Sequence, residues 1–264
     1  MERRTFESLG GECELFAIGM DPHALVAAEA WIRRMHDRLT RFDPNSEVSR
    51  LNASRGRWFA VSPELETLLR ESLRAFEISD GLVNVAVLPA LLAAGYTRDF
   101  AAGPTAATKA PTIRPLDDVL QLRPGEARLR GGAIDLGGIA KGWLADRVVA
   151  QLGENVLVNL CGDLYARGGG ETGEGWPVGF GDKTLLLKDL GAATSGTTKR
   201  SWEGGHHLID PRTGLPAQSD LSEVSVLAST ATDAEIFAKV ALLLGSRDAP
   251  RWLEGRSEGW SLLP

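Results

Sequence analysis

Apolar residues recur at alternating intervals of three and four in several stretches of the chain, the spacing that places side chains on one face of an α-helix. One stretch follows Asp21-Pro22, a capping residue before a proline, and contains Leu25, Ala28, Ile32, Met35 and Leu39. Another begins at Ser62-Pro63 and stops near Gly81. Two more run through residues 141–152, ending at Gly153, and through residues 231–244. We predict a helix in each stretch.

Short β-like runs separated by glycine-rich turns fill much of the second half of the chain. The sequence NVLVNLCGDLYARG predicts a strand pair or a strand followed by a turn. Single strands are expected at Trp176 to Phe180, Thr184 to Leu187 and Val224 to Ala228. Another strand-like run is expected between Leu129 and the IDLGG sequence, whereas residues 42–52 and 98–115 have the composition of loops. The mixture predicts an α+β fold. Because no internal repeat or long linker interrupts it, we expect one domain over residues 1–264.

Composition and charge narrow the classes of function. The 264 residues carry 29 Lys and Arg against 35 Asp and Glu, a formal net charge of −6 that argues against nucleic-acid binding. No apolar run is long enough to span a membrane, and the opening MERRTFESLGGECELF lacks the pattern of a signal peptide. These features predict a cytoplasmic protein. Cys13 and Cys161 lie far apart and form no CxxC or zinc spacing, so thiol chemistry is not expected.

Residues 137–142, Gly-Gly-Ile-Ala-Lys-Gly, form what we call the glycine turn, at a point where a strand is expected to enter a helix. Free backbone N–H groups and the Lys141 ammonium would converge there and attract a phosphate. The sequence matches neither GxxxxGK[ST] nor GxGxxG, so a tight strand-to-helix turn without a ligand is an equal alternative. Lys141 is unfavourable near a helix start unless an anion is close, which favours the phosphate interpretation.

Residues 206–214, His-His-Leu-Ile-Asp-Pro-Arg-Thr-Gly, form the histidine loop, which holds two of the four histidines. An imidazole can take a proton from an alcohol, and a carboxylate such as Asp210 can hold the ring or the loop in place. The alternative is a type I turn in which Asp210 bonds its own backbone. Thr194-Ser195-Gly196, expected to form another turn, lacks the GxSxG pattern of a hydrolase nucleophile.

The last predicted helix carries Glu235 and Lys239 on one face, although apolar residues surround them. A pair at i and i+4 on a helix surface is common and contributes only about 0.3–0.5 kcal/mol. Because this helix is apolar nearly all round, we expect the pair to be enclosed and to face a partner or a polar ligand.

These segments, taken in order, resemble the ApbE family of flavin transferases, which move FMN from FAD onto a Ser or Thr of another protein. The match runs from about Phe42 to Gly245. It includes FDPNSEVSRLN, SDGLVNVAVLPAL, IDLGGIAKGWLADR, VNLCGDLYARG, ATSG, HHLIDPRTGLPA and ATDAEIFAKVALLLG. Each segment alone is a weak signal, but seven in register are a strong one.

The resemblance implies an α+β unit of a larger and a smaller lobe with FAD between them, and an acceptor flavoprotein as partner. It places His207 as the base, with Asp210 beside it, and implies Mg²⁺ bound by Gly138 and Glu235. The residues that it implies for FAD binding are Phe42, Leu82, Val83, Asn84, Lys141, Ser195, Gly196, Ile209 and Lys239. The family's Gly-Ala-Phe-Asp pattern is Gly-Leu-Val-Asn here, so the contribution of Asn84 is open.

The departure at the last helix is the most informative one. The family places Asp and, four residues later, Thr as magnesium ligands, where this chain has Glu235 and Lys239. A lysine offers only donors and repels a dication, so we hypothesise that its ammonium partly replaces magnesium. Two alternatives to FMN transfer stay open: hydrolysis of FAD to FMN and AMP, and a weakened protein that only binds FAD.

Overall fold

A computed structural model describes residues 1–180 and 183–264 of the chain. The described residues contain two 3₁₀ turns, Val85–Val87 and Phe100–Ala102, and these helices: α1 Pro22–Leu39, α2 Glu47–Asn52, α3 Pro63–Ile78, α4 Leu88–Ala93, α5 Leu116–Val119, α6 Ala140–Leu152 and α7 Ala231–Leu253.

Antiparallel strands form one large sheet and several small ones. The first nine strands are β1 Glu2–Ser8, β2 Gly11–Ala17, β3 Phe59–Ala60, β4 Leu120–Arg123, β5 Glu126–Leu129, β6 Val156–Leu160, β7 Asp163–Arg167, β8 Trp176–Phe180 and β9 Lys183–Leu187. The others are β10 Leu190–Gly196, β11 Ser201–Trp202, β12 Gly205–His206, β13 Ile209–Asp210, β14 Leu215–Pro216, β15 Glu223–Ala228 and β16 Gly259–Leu263. The large sheet has the order β1-β2-β6-β7-β10-β15-β16, so it joins both ends of the chain.

The core lies between this sheet and the helices that cover one of its faces. Alternate residues of β2 point inward, as do those of β15, and Leu15 and Val226 are fully buried. Helix α6 packs against β6 and β7, while α7 packs against β10, β15 and α6. The mixture of helices and sheets confirms the α+β expectation. All four predicted helices, the strand pair β6–β7 and the strands β8, β9 and β15 are present.

Two glycines allow the start of α7 to approach its neighbours closely. A Cβ added to Gly142 of α6 would lie 2.5 Å from the carbonyl oxygen of Ala231, and one added to Gly191 of β10 would lie 2.2 Å from the Ala231 nitrogen. The Asp146 carboxylate of α6 accepts hydrogen bonds from the backbone nitrogens of Ala231, at 2.8 Å, and Thr232, at 3.0 Å. Helix α7 therefore begins at a position fixed by α6 and the sheet.

Three local expectations were wrong, each for a physical reason. Residues 47–52 form α2 within the predicted loop, because Ser46 caps the helix and Val48 and Leu51 are buried three positions apart. Residues 194–196 are the end of β10, not a turn, because they pair with β15.

The segment between Leu129 and the glycine turn forms no strand. The side-chain amide of Asn52 takes the place of a neighbouring strand there: it accepts from the backbone nitrogen of Ile134 at 2.8 Å and donates to its carbonyl oxygen at 2.9 Å. Helix α7 continues beyond residue 244 after a break at Gly245, where φ is 77°. In residues 98–115, expected to be a connector, a 3₁₀ turn covers Phe100–Ala102.

Among the residues that the structure describes, no helix has the length and apolar character needed to cross a membrane.

We predict that Gly142→Ala lowers the free energy of unfolding by about 1–3 kcal/mol, because the new methyl group collides with the backbone of Ala231 and Thr232. This loss should appear in urea denaturation even though alanine is the better helix former by about 1 kcal/mol. Gly179→Ala in β8 is the matched control, because a Cβ there meets open space. Equal unfolding midpoints for the two variants would contradict the proposed contact.

Candidate active site

One cavity of about 1180 Å³ brings together segments from the whole length of the chain. Of the residues predicted for the catalytic, FAD and metal sites, Asp210 does not line this cavity, and the others do: Phe42, Leu82, Val83, Asn84, Gly138, Lys141, Ser195, Gly196, His207, Ile209, Glu235 and Lys239. This volume is sufficient for an organic ligand larger than most drug molecules. The glycine turn, the histidine loop and α7 therefore meet at a single cavity, although 60 or more positions separate the first two in the sequence.

Lys141 lies between two buried carboxylates. Its ammonium forms an ion pair with Asp163, at the start of β7, and lies 3.6 Å from Oε1 of Glu235 in α7. Burial disfavours the charged form of Lys141, but the charges of Asp163 and Glu235 outweigh this effect and raise its pKa. The sequence analysis missed Asp163, although it lies inside the quoted segment VNLCGDLYARG. A buried carboxylate 22 positions after the lysine gives no local signal.

Glu235 is held by a hydrogen bond to one of its two carboxylate oxygens. Oε2 accepts a hydrogen bond of 2.9 Å from the backbone nitrogen of Gly142, while Oε1 is buried and has no hydrogen-bond partner in the described part of the chain. Burial raises the pKa of Glu235, and the negative charge of Asp163 raises it further. The expectation that the charged pair of α7 is enclosed is thus met by Glu235.

Lys239 presents its ammonium to the cavity. Its stem packs over Gly138, since a Cβ built on that glycine would lie 3.0 Å from Cε and 3.5 Å from Nζ of Lys239. The ion pairs of the described residues at this site involve Lys141 and not Lys239. Burial lowers the pKa of Lys239, and the nearby charge of Glu235 opposes that effect. Lys239 therefore has no ion-pair partner among the described residues, and an anion bound in the cavity would favour its charged form.

The two histidines of the histidine loop have different roles. His206 uses both ring nitrogens to hold the loop: Nε2 lies 3.0 Å from the carbonyl oxygen of Ala217, and Nδ1 accepts from the backbone nitrogen of Leu208 at 3.2 Å. His207 uses only Nδ1, which lies 3.3 Å from the carbonyl oxygen of Arg200. Because a carbonyl can only accept, Nδ1 carries the proton and Nε2 of His207 keeps a free lone pair.

The protonation state of His207 follows from its surroundings. Burial, together with the positive charges of Arg200, Lys239 and Lys141, lowers the pKa of His207 to about 3. The imidazole is therefore neutral at physiological pH. A neutral ring with a free Nε2 is able to accept a proton.

Asp210 holds the histidine loop and does not touch a histidine. Its carboxylate accepts hydrogen bonds from the Arg212 backbone nitrogen, at 2.9 Å, and from the Arg212 guanidinium, at 2.8 to 3.1 Å. The Gly214 nitrogen donates to the Asp210 carbonyl oxygen at 2.8 Å, which closes a turn. Of the two roles considered for Asp210, holding the ring or holding the loop, the contacts match the second.

An aromatic and arginine cluster forms another part of the wall, and the sequence analysis recognised only its Phe42. The Arg41 guanidinium lies 4.2 Å from the ring centre of Phe42 and 4.6 Å from that of Tyr96, and its Nε lies 2.7 Å from Oδ2 of Asp135. The arrangement fixes two aromatic rings beside the cavity. The contribution of Asn84 was open. Its side-chain amide donates to the carbonyl oxygen of Arg114 and accepts from the backbone nitrogen of Ala86, and thus stabilises the backbone of the cavity wall.

The donor atoms at Gly138 and Glu235 do not fit a magnesium ion. The free carboxylate oxygen of Glu235 lies 3.6 Å from the ammonium of Lys141, and the Lys239 side chain packs over Gly138. An ammonium has no lone pair to offer a metal. Within residues 1–180 and 183–264, no group of three or more His, Cys, Asp or Glu side chains is placed to hold a metal. The metal role of Gly138 and Glu235 stays a prediction from the resemblance, which this geometry does not favour.

Comparison with known proteins identifies the class. The sequence model of the ApbE family matches residues 9–262. The FAD:protein FMN transferase of Treponema pallidum is 32% identical over 238 residues, which are 76% of this chain and 66% of that protein. The one of Klebsiella pneumoniae is 30% identical over 237 residues, 81% of this chain and 73% of that protein. The chain thus spans about two thirds to three quarters of the length of these relatives.

Solved structures agree on the fold. The apo flavinyl transferase ApbE of Pseudomonas stutzeri superposes with a TM-score of 0.83 at 20% identity, covering 99% of this chain and 94% of that one. The ApbE protein of Thermotoga maritima gives 0.86 at 23% identity, covering 98% and 93%. The chain belongs to the ApbE family.

Proposed function

We propose that this protein transfers FMN from FAD to a Ser or Thr hydroxyl of an acceptor flavoprotein and releases AMP. The observation that supports this most directly is the convergence of Lys141, Lys239 and His207 on one cavity large enough for a dinucleotide. The names of the relatives agree with it. The two-lobed placement of FAD, the single domain and the cytoplasmic location stay predictions from the sequence.

The reaction replaces the phosphoanhydride bond of FAD by a phosphoester bond to the acceptor. The acceptor oxygen attacks the phosphorus on the FMN side, the bond from that phosphorus to the bridging oxygen breaks, and AMP leaves with the bridging oxygen. The acceptor proton passes to Nε2 of His207, the ring nitrogen that no group of the described chain occupies. The products are FMN joined to the protein through a phosphodiester, and AMP.

Positioning and positive charge supply most of the catalysis in phosphoryl transfer. Lys141 and Lys239 would contact the pyrophosphate, because both ammoniums line the cavity and Lys239 has no ion-pair partner among the described residues. Arg200 adds charge near His207. A bound pyrophosphate would offset these charges and raise the pKa of His207 from its low value in the free protein. Substrate binding would thereby strengthen the base.

We propose that magnesium is not required at the Glu235 position, because Lys239 supplies positive charge there. A single ammonium is a weaker stabiliser of a leaving phosphate than an octahedral dication. The reaction is therefore expected to be slower than that of a magnesium-dependent relative. Glu235 would act by holding Lys141 and the Gly142 backbone in place.

We expect His207→Ala to reduce covalent flavin transfer about 100-fold or more, because the acceptor proton then has no base. Affinity for FAD should change little, since Lys141 and Lys239 remain. The measurement uses FAD and a protein accepted by one of the relatives, followed by flavin fluorescence in a denaturing gel. His23→Ala is the control, because His23 is an exposed residue of α1.

Each other outcome of that assay rejects a part of the proposal. Transfer at the normal rate in His207→Ala would mean that another group is the base. Free FMN and AMP without covalent flavin would indicate hydrolysis. FAD that stays intact for hours with acceptor and magnesium would indicate a protein that only binds FAD.

We predict that AMP release by the native protein is insensitive to added magnesium and to EDTA, because Lys239 supplies the charge. In metal-free buffer, the rate of AMP release by Lys239→Thr should be about 100-fold lower than that of the native protein. It should then recover part of its activity with magnesium, since the hydroxyl and Glu235 offer oxygen ligands. Lys239→Met, which keeps an apolar stem but adds no oxygen, is the control and should not recover. Identical magnesium dependence in the native protein and Lys239→Thr would refute the proposal that the Lys239 ammonium replaces magnesium.

A further inference from the structure

The two cysteines, 148 positions apart in the sequence, lie side by side at the edge of the cavity. The Sγ atoms of Cys13 and Cys161 are 3.9 Å apart, and both thiols are free. Cys13 lies in β2 and Cys161 in the turn between β6 and β7, which brings them together because β2 pairs with β6. The expectation that thiol chemistry plays no part rested on their distance in the sequence and on the absence of a CxxC or zinc spacing.

The backbone is arranged around this pair. Both thiols approach the carbonyl oxygen of Ser8, at 3.6 Å from Cys13 and 3.4 Å from Cys161. A Cβ on Gly11 would lie only 3.3 Å from Sγ of Cys161, so a larger residue there would crowd the thiol. Cys161 itself has φ 60° in a tight turn, where asparagine or glycine is the usual residue. A cysteine stands at this strained position.

The two thiols differ in access and in charge. Cys13 is fully buried, whereas Cys161 is half-buried and lines the cavity. The hydrogen bond from Cys13, together with the positive charges of Lys141 and Arg200, lowers the pKa of Cys161, while that of Cys13 is raised. This is the asymmetry of an attacking thiol and a resolving thiol.

We propose that Cys13 and Cys161 form a peroxide-reactive dithiol, and that its oxidation to a disulfide weakens dinucleotide binding at the cavity. The Cys161 thiolate attacks a hydroperoxide oxygen, the O–O bond breaks, and Cys161 becomes a sulfenic acid as water or an alcohol leaves. Cys13 then attacks that sulfur, the S–O bond breaks, and water leaves with the Cys13 proton. In sum, two thiols and one hydroperoxide give one disulfide and two hydroxyl products, and a small dithiol reverses the change.

The link to the cavity passes through the turn between β6 and β7. A disulfide needs its sulfurs about 2 Å apart, so the two thiols must approach each other, which draws the turn that carries Cys161 toward β2. Asp163, two residues after Cys161, ends the same turn and holds the ammonium of Lys141. Closing the disulfide should therefore displace the partner of the lysine that we expect to contact the pyrophosphate. This second half of the proposal rests on the proposed function, whereas the thiol chemistry does not.

The test treats the reduced native protein with a small excess of hydrogen peroxide and then counts thiols after denaturation. We expect both thiols to be lost, the intact mass to fall by about 2 Da, a monomer on a non-reducing gel, and full reversal by dithiothreitol. Cys13→Ala should stop at a sulfenic acid that dimedone traps on Cys161. In Cys161→Ala the buried Cys13 should keep its thiol. Two surviving thiols in the native protein, a sulfinic or sulfonic product on Cys161 alone, or a disulfide between chains would overturn the dithiol.

A titration of reduced and oxidised protein with FAD, followed by flavin fluorescence, tests the link to the cavity. The oxidised form should bind about fivefold more weakly or worse, and Cys13→Ala treated in parallel without peroxide should bind like the reduced form. Equal affinities in the two redox forms would refute the link while leaving the dithiol standing. No FAD binding by the reduced protein would count against the proposed function, and the thiol count would still decide the chemistry.

Discussion

The Lys141 ammonium, held between Asp163 and Glu235, is the interaction on which the site depends. It ties together the start of α6, the turn that enters β7 and the first turns of α7. Placing three charged groups in the interior is costly unless each is paired, and removal of one carboxylate would leave an uncompensated charge. The group is arranged at the exact point where α6 and α7 make their closest backbone approach, at Gly142. The packing of α6 against α7 therefore also determines the geometry of the site.

This charge arrangement explains the electrostatic character of the cavity. Asp163 and Glu235 lie beside Lys141, whereas Lys239 and Arg200 form no ion pair among the described residues and lie near His207. Burial, assisted by the positive charges of Arg200, Lys239 and Lys141, lowers the pKa of His207 and keeps it neutral. A protein with a net charge of −6 thus maintains a local site for an anion, as a phosphate-bearing substrate requires. The local charges around the cavity, and not the net charge of the protein, therefore determine whether an anion is attracted to it.

Much of this arrangement could be predicted from the sequence because its signals are local. The glycine turn, the paired histidines and the Glu235–Lys239 spacing are short patterns, and the helices follow from capping residues and apolar periodicity. Contacts between distant segments gave no such signal. Asp163, Arg41 and the Cys13–Cys161 pair acquire their meaning only from strand pairing. The loop predicted at residues 42–52 contains α2 because two apolar residues in a polar stretch were enough to bury one helical face.

Calorimetric titration of the reduced protein with FAD, FMN and AMP in separate experiments tests the central claim, that one cavity built around Lys141 holds a whole flavin dinucleotide. The account predicts that FAD binds more tightly than either half, because only FAD carries a pyrophosphate to the ammonium groups. Absence of FAD binding, or affinity for FAD no greater than for AMP alone, would contradict it.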